Sequence, residues 1–188
     1  MSLRPMCVMA LFLALACAGV APAFAQSPQD KTGTHPRPAW ADEYMRSMIG
    51  TWIADNSAFK SEQEPFDAFG IEWSWGIGRQ SLVGRLFGLR EGKEVGPFWE
   101  FREFWHPGEG QLLASQFSPT GTYGVGPHTR KADGTYEMLQ VFHDPSGGTM
   151  RVGHRSRVDG NEMTSQSFDV AEDGTWKPRR RYVWRKKS

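Results

Sequence analysis

The sequence predicts an all-β fold, an antiparallel up-and-down β-barrel of about ten strands with a short N-terminal helix. From residue 49 onward, apolar and polar residues alternate in short segments, which is the period of a half-buried strand. Gly, Pro, Asp and Asn separate these segments at regular intervals. No helical periodicity interrupts them, so consecutive hairpins are expected. Pairing the first strand with the last would remove the exposed edges.

The first 25 residues are expected to be a secretory signal peptide outside the fold. Arg4 supplies a basic start, Val8 to Val20 is apolar, and Ala23-Phe24-Ala25 resembles a small-x-small cleavage site. The apolar stretch is too short to cross a bilayer. Lipoprotein processing at Cys17 is the alternative, but residue 14, three positions before it, is not the usual Leu. We therefore predict a periplasmic or secreted protein.

Composition excludes several classes of function. Cleavage after Ala25 would remove both cysteines, Cys7 and Cys17, leaving no disulfide, thiol nucleophile or thiolate metal site. The 22 Lys and Arg nearly balance the 21 Asp and Glu, so the basic surface that nucleic acids require is not expected. All eight tryptophans follow the signal peptide, and large aromatic side chains serve both core burial and ligand contact.

The remaining chain divides into a leader, a helix and the strands of one domain over residues 38–188. Residues 26–37 are polar and are expected to be a disordered leader. Pro38 suits a first helical position, and Trp40, Tyr44 and Met48 lie four apart on one helix face. The strand candidates are 49–55, 68–76, 79–90, 96–106, 111–118, 121–130, 134–143, 149–158, 162–170 and 175–186. Asp-Gly pairs between several of them favour tight hairpin turns.

Gly50-x-Trp52 follows the helix, and the last strand is rich in Arg. This order resembles the lipocalin-like (calycin) superfamily over roughly residues 38–186, and its secreted bacterial members in particular. The ten-strand count looks more like the fatty-acid-binding and nitrobindin branches. The resemblance implies that Gly50 and Trp52 close one barrel end and that a basic side chain of the last strand, Arg179, Arg181 or Arg185, lies over the indole. Such a contact contributes about 0.5–2 kcal/mol.

Cofactors and metals are not expected. Nitrobindin-like barrels bind haem, but Ala54 and Asn56 stand where further glycines of their opening motif would fall, and no histidine follows His154. The four histidines of the strands come from different strands, and no His-x-His spacing fixes two metal ligands on one strand. These histidines are His106, His128, His143 and His154.

Five polar residues have an apolar neighbour two positions away on the same strand face: Arg85, Gln116, Gln140, His154 and Gln166. Because buried polar groups need partners, they predict a cavity with a few hydrogen-bonding groups. The alternative is that one or two registers differ and these groups face solvent. The candidate ligand-binding residues are Arg85, Phe87, Trp73, Trp75, Trp99, Trp105, Tyr123, Gln140 and His154.

Three residues are candidates for catalysis. His154 could act as an acid or base near neutral pH, Glu103 could act as a base if burial raises its pKa, and Arg85 could orient a polar group. A hydrogen-bonded structural histidine and solvated cross-strand ion pairs explain the same residues and are the favoured alternatives. The sequence contains no nucleophile elbow and no helix-preceding glycine loop for a nucleotide.

Three functions follow from this reading. The first is an exported barrel that holds a small, largely apolar or aromatic molecule. The second is a cofactor-independent isomerase, cyclase or lyase that uses the same cavity. The third is a filled barrel that acts as a structural or interaction module. A smooth aromatic pocket favours the first, an isolated histidine with a shifted pKa favours the second, and a filled interior favours the third.

Overall fold

The computed structural model describes residues 35–187, which form one helix and ten strands. The helix α1 spans Ala39–Met48. The strands are Gly50–Asp55 (β1), Ala68–Trp75 (β2), Ser81–Arg90 (β3), Lys93–His106 (β4), Gln111–Phe117 (β5), Tyr123–Arg130 (β6), Tyr136–His143 (β7), Thr149–Asp159 (β8), Glu162–Val170 (β9) and Trp176–Lys186 (β10). Across this part of the chain, no helix has the length and apolarity needed to cross a membrane. The predicted signal peptide and residues 26–34 of the predicted leader lie outside the described residues.

The ten strands close into an antiparallel barrel, which confirms the predicted fold class. Each strand pairs with its neighbours in sequence, and β1 pairs with both β2 and β10. We call the end that holds α1 the closed end. We call the opposite end, which holds segment 56–67 and loop 118–122, the mouth.

Trp52 forms the centre of the closed end and is fully buried. Its indole N–H donates to the carbonyl of Met48, the last residue of α1, at 2.8 Å. The ammonium of Lys186 lies 5.2 Å from the centre of the indole and donates to the Ser47 carbonyl at 3.0 Å. These contacts supply partners for two carbonyls at the helix end, which would otherwise lack them.

The expectation that Arg179, Arg181 or Arg185 covers Trp52 is wrong. Because β10 runs antiparallel to β1, the final residues of β10 meet β1, and Lys186 lies directly opposite Trp52. Arg179 instead lines the cavity near the mouth, whereas Arg181 and Arg185 are exposed. The family resemblance therefore predicted the type of contact but assigned it to the wrong residue.

Gly50 has a backbone conformation that other residues rarely adopt, with φ at 116°. A Cβ atom at this position would also lie 3.0 Å from Cε of Lys186. Glycine therefore allows both the turn from α1 into β1 and the close approach of the lysine stem.

A β-bulge interrupts β10 near the mouth. Ser167 of β9 faces two residues of β10, Arg179 and Arg180, where a regular ladder would place one. The side chain of Gln166 donates to the carbonyls of both arginines at 3.1 and 3.3 Å, and the Ser167 hydroxyl donates to the Arg180 carbonyl at 3.2 Å. Side chains thus satisfy the carbonyls that the bulge removes from the ladder.

Candidate functional site

The barrel encloses a cavity of about 840 Å³ that extends from α1 to the mouth. Tyr44 and Met48 of α1 line its closed end, while Glu64 and Thr120 line the mouth. Its volume lies within the range of known small-molecule sites. The interior is therefore not that of a barrel filled by its own side chains, which was the third alternative from the sequence.

One side of the cavity is almost entirely apolar. We call the apolar cavity-facing residues of β2, β3 and β4 the aromatic wall; they are Phe69, Ile71, Trp73, Leu86, Phe98, Trp99 and Phe101. Trp73 stacks on Phe101 with ring centres 5.4 Å apart. It also lies flat across Gly84, where a Cβ atom would come within 2.5 Å of the indole. The sequence candidates Trp73 and Trp99 both lie in this wall.

Across the cavity from the aromatic wall, polar side chains predominate. We call five residues of β8, β9 and β10 the polar wall; they are His154, Ser156, Ser165, Ser167 and Arg179. His154 lies opposite Ser167, and Ser156 lies opposite Ser165, across the β8–β9 ladder. Because Ser167 also faces the β10 bulge, a continuous polar row crosses the three strands to Arg179.

His154 faces the cavity and makes no side-chain hydrogen bond with any described residue. Burial, followed by the charges of His128 and Arg179, lowers the pKa of His154 to about 4. The imidazole is therefore neutral at pH 7, with one N–H donor and one lone pair. The alternative of a hydrogen-bonded structural histidine does not fit this arrangement.

Glu103 is the centre of a buried cluster at the closed end of the cavity. Its two carboxylate oxygens bond the Tyr44 hydroxyl and Nδ1 of His128, each at 3.2 Å. Burial, followed by the charge of Glu103, raises the pKa of Tyr44 well above its ordinary value, so the phenol keeps its proton and donates it. Glu103 is only 5% exposed, and both its oxygens are occupied, which differs from the free base considered from the sequence.

Tyr44 and His128 were not among the sequence candidates for the site. The helical spacing of Trp40, Tyr44 and Met48 predicted an inward helix face, but not that this face would reach Glu103. His128 was considered only as one of four possible metal ligands. Both residues belong to the cavity lining because β6 and α1 approach β4 in space, although they are distant from it in sequence.

A second network ties segment 56–67 to β10 at the mouth. Arg180 donates to both carboxylate oxygens of Glu64 and lies over the Phe59 ring at 4.8 Å. Asn56 is fully buried, donates to Glu64 at 3.0 Å and accepts from the Tyr182 hydroxyl at 2.8 Å. Simple alternation would place Arg179 and Arg180 on opposite faces, but both line the cavity. The bulge explains this difference.

Three sequence candidates lie on the outer face of the barrel wall, where Phe87 is nevertheless buried, which corrects the prediction that they line the cavity. Arg85 forms ion pairs with Glu72 and Glu94. Phe87 lies under Arg85, with the guanidinium 4.8 Å from its ring. Tyr123 is 43% exposed. The cause is the alternation of side chains along a strand. In β3 and β6 the neighbours of these residues point inward, so the candidates themselves point outward.

Two tryptophan candidates pack into the core at the closed end and do not line the cavity. Trp75 and Trp105 both contact the buried core cluster around Trp52. Trp105 meets Trp40 of α1 edge to face at 6.2 Å, and its N–H donates to the His35 carbonyl at 2.7 Å. His35, placed in the leader by the sequence, is thus joined to the barrel.

Gln140 lies one layer behind the cavity surface. It is fully buried, accepts from the Gln116 amide at 2.7 Å and donates to the Ala114 carbonyl at 3.2 Å. Gln116 itself lines the cavity. The sequence therefore identified a buried polar pair, but the member that reaches the cavity is Gln116.

The site offers acid, base and hydrogen-bonding groups. His128 and His154 both reach the cavity, whereas His106 borders the β4–β5 turn and His143 stacks on Tyr123. Within residues 35–187, no group of three His, Cys, Asp or Glu is arranged to hold a metal ion. The described residues thus support binding and proton transfer by side chains.

Comparisons with known proteins bear on the fold. No protein-family model and no curated protein matches this sequence. Among solved structures, the crystal structure of Rv2717c from M. tuberculosis is similar with a TM-score of 0.51 and 14% identity, covering 79% of this chain and 98% of that chain. At this level of identity the similarity concerns the fold alone.

Proposed function

We propose that this protein binds a small, largely apolar or aromatic molecule inside its barrel. The observation that carries the proposal is the cavity of about 840 Å³ with an aromatic wall on one side. Transfer of apolar ligand surface from water is favourable by about 25 cal/mol per Å². A rigid barrel wall provides this contact without a large ordering cost.

Binding of N-phenylnaphthylamine tests this function directly. This uncharged aromatic probe becomes fluorescent in apolar surroundings, and we expect a saturable increase with one site per chain. Its binding is also expected to quench tryptophan emission, because Trp73, Trp99 and Trp184 all line the cavity.

A pair of variants locates the probe. Leu86→Trp would place an indole into the cavity from the aromatic wall and should abolish saturable binding. Val125→Trp adds the same group at a position that is 41% exposed and outside the lining, so it should bind normally. Absence of saturable binding to the wild type, or equal binding by both variants, would reject the proposal.

A second candidate function is a cofactor-independent isomerase, cyclase or lyase in the same cavity. The observation that favours it is the pair of imidazoles, His128 and His154, which flank Met138 on adjacent strands. A neutral His154 could accept a proton from a bound molecule, and His128 is oriented by Glu103. Native mass spectrometry of the protein with its bound ligand, before and after incubation, would show whether the mass of the ligand changes and so distinguish turnover from binding. Loss of turnover in His154→Gln would support catalysis.

Export to the periplasm or medium is part of the proposed function. It is supported by the basic, apolar and small-x-small regions of residues 1–25. Sequencing the N-terminus of the protein from its native cells tests it. We expect the mature chain to begin at Gln26, whereas a lipid-modified Cys17 would indicate the lipoprotein alternative.

A further inference from the structure

The two sides of the cavity differ in the ligand surface that each can contact. The aromatic wall of β2–β4 presents ring faces, and Trp73 is held flat by Phe101 and Gly84. The polar wall of β8–β10 presents an imidazole, three hydroxyls and a guanidinium. The same strands also contribute Met150, Val152, Met163 and Trp184 to the lining, so the polar groups form a patch that a molecule with one polar end would match.

The polar wall has unused hydrogen-bonding capacity. Neither His154 nor Ser156 forms a side-chain hydrogen bond within the described part of the chain. The Ser165 hydroxyl accepts from the Trp184 indole at 2.9 Å, so its own proton remains free. Polar groups inside a barrel are costly when they lack partners, and a ligand with acceptor atoms would supply these partners.

The charged residues of the lining indicate the sign of the charge that a bound ligand should carry. Glu103 is bonded by Tyr44 and His128, and Glu64 is paired with Arg180. The nearest acidic group to Arg179 is Asp169 at 3.5 Å, which does not line the cavity and is 64% exposed. Arg179 therefore contributes a cation to the mouth side of the polar wall, and no carboxylate belongs to that wall.

We propose that the cavity selects planar aromatic anions, with the ring against the aromatic wall and the anionic group against Arg179 and His154. This inference rests on the proposed binding function and specifies its ligand class. An oxyanion accepts several hydrogen bonds at once, which suits a guanidinium beside an imidazole N–H donor. Aromatic cations and uncharged hydrocarbons would leave the donors of the polar wall without partners.

The register explains why Arg179 and His154 can act on one anion, with Ser167 between them. His154 and Ser167 are direct cross-strand partners, and such partners have Cβ atoms about 5 Å apart. Ser167 in turn faces the bulge that turns Arg179 into the cavity. The charge of Arg179 is close enough to His154 to help keep the imidazole neutral, so the two act as different donors within one subsite.

A matched pair of probes tests the inference. Anilinonaphthalene sulfonate has the ring system of N-phenylnaphthylamine plus one anionic group. We expect the wild type to bind the sulfonate about tenfold more tightly, since one hydrogen bond to a charged group has about this effect. This preference should decrease with rising salt concentration, while binding of the uncharged probe should not.

Single substitutions distinguish an effect of the proposed subsite on anion binding from an effect of the general surface charge. Arg179→Gln should reduce the ratio of the affinities for the sulfonate and the uncharged probe by about tenfold. Arg181→Gln makes the same charge change at an exposed residue of the same strand and should retain the full preference. His154→Phe keeps an aromatic ring but removes the N–H donor, and should also reduce the preference.

The outcomes distinguish the two proposals. Equal affinity of the wild type for both probes overturns the anion preference while leaving the binding function supported. A preference that survives in both Arg179→Gln and His154→Phe also overturns the proposed subsite. If neither probe binds, the binding function fails and the anion inference fails with it.

Discussion

Lys186 covers Trp52 at the closed end of the barrel, with its ammonium 5.2 Å from the indole centre. The two residues are direct partners in the pairing of β10 with β1. Both also bond carbonyls at the end of α1. The contact therefore joins the first strand, the last strand and the helix, and we assign it to stability.

Replacement of Lys186 tests this assignment. We expect Lys186→Met to lower the free energy of unfolding by about 1–2 kcal/mol, since it removes both the cation–π contact and the bond to Ser47. Urea titration gives this value. Lys187→Met is the control, because its exposed side chain should contribute less than about 0.5 kcal/mol. Equal losses in the two variants would contradict the assignment.

The buried Glu103 cluster predicts different effects for two substitutions of the same residue. Glu103→Leu leaves the Tyr44 hydroxyl and Nδ1 of His128 without partners and should cost about 3–5 kcal/mol. Glu103→Gln retains an acceptor and a donor of similar shape and should cost clearly less. The measurement is chemical unfolding at pH 7. A loss for Glu103→Gln as large as that for Glu103→Leu would show that the hydrogen bonds are not the source of the effect.

The contact between Trp73 and Gly84 predicts that the effects of substitutions at these two residues are strongly coupled. Gly84→Ala would place a Cβ atom 2.5 Å from the indole, so Trp73 must move towards the cavity. We expect this variant to lose about 1–3 kcal/mol of stability and to bind N-phenylnaphthylamine less tightly. In a Trp73→Leu background, the same substitution should be nearly neutral. A double-mutant cycle measures the difference, and additive effects would argue against the contact.

His154 predicts a specific pH dependence of stability. Burial lowers its pKa from 6.5 to about 4, so the unfolded chain binds this proton first as the pH falls. The free energy of unfolding should therefore decrease between about pH 6.5 and pH 4, by at most about 3 kcal/mol from this group. Lowered carboxylate pKa values, such as that of Glu137, add a further loss on acidification.

A variant isolates the histidine from these carboxylates. His154→Gln cannot gain the proton, whereas the carboxylates titrate alike in both proteins. Urea titrations at several pH values should therefore give a smaller loss for the variant between pH 6.5 and pH 4. Identical pH profiles would mean that His154 is accessible enough to titrate normally in the folded barrel.

The outer position of Arg85 predicts that it is not needed for ligand binding. Arg85→Gln breaks exposed ion pairs with Glu72 and Glu94 and should change stability by less than about 1 kcal/mol. Affinity for N-phenylnaphthylamine should stay within about twofold of the wild type. Trp99→Ala, in the aromatic wall, should weaken it by at least tenfold. A strong effect of Arg85→Gln on affinity would return this residue to the candidate site.

The fold was predictable because its signals are local. Alternation within strands and Asp-Gly turns such as that at 133–134 depend on neighbouring residues, and Gly134 has the expected positive φ of 82°. Boundaries differ mainly at β4, which begins at Lys93 and not at 96. Residues 93–95 continue the pairing with β3 there, beyond a shift in register between Leu86 and Gly88.

The site was less predictable because it depends on register and on contacts between distant residues. Alternation divides β3 into two faces but does not reveal which one points inward, and this placed Arg85 and Phe87 wrongly. The Glu103 cluster joins residues 25 and 59 positions apart. The Arg180 and Glu64 pair spans 116 positions, and no periodic pattern in a single sequence contains such a relationship.

The extra residue in β10 divides this strand into two parts with opposite parity. Trp176 packs outside the barrel against Gly153, whereas Tyr182 and Trp184 face inward, although all three have even numbers. Without the bulge, they would share one face. Substitutions in the first part can therefore change the ligand selectivity proposed for the mouth. The second part continues to pair with β1 and to close the barrel. Selectivity can diversify in one half of a strand whose other half stays constrained by stability.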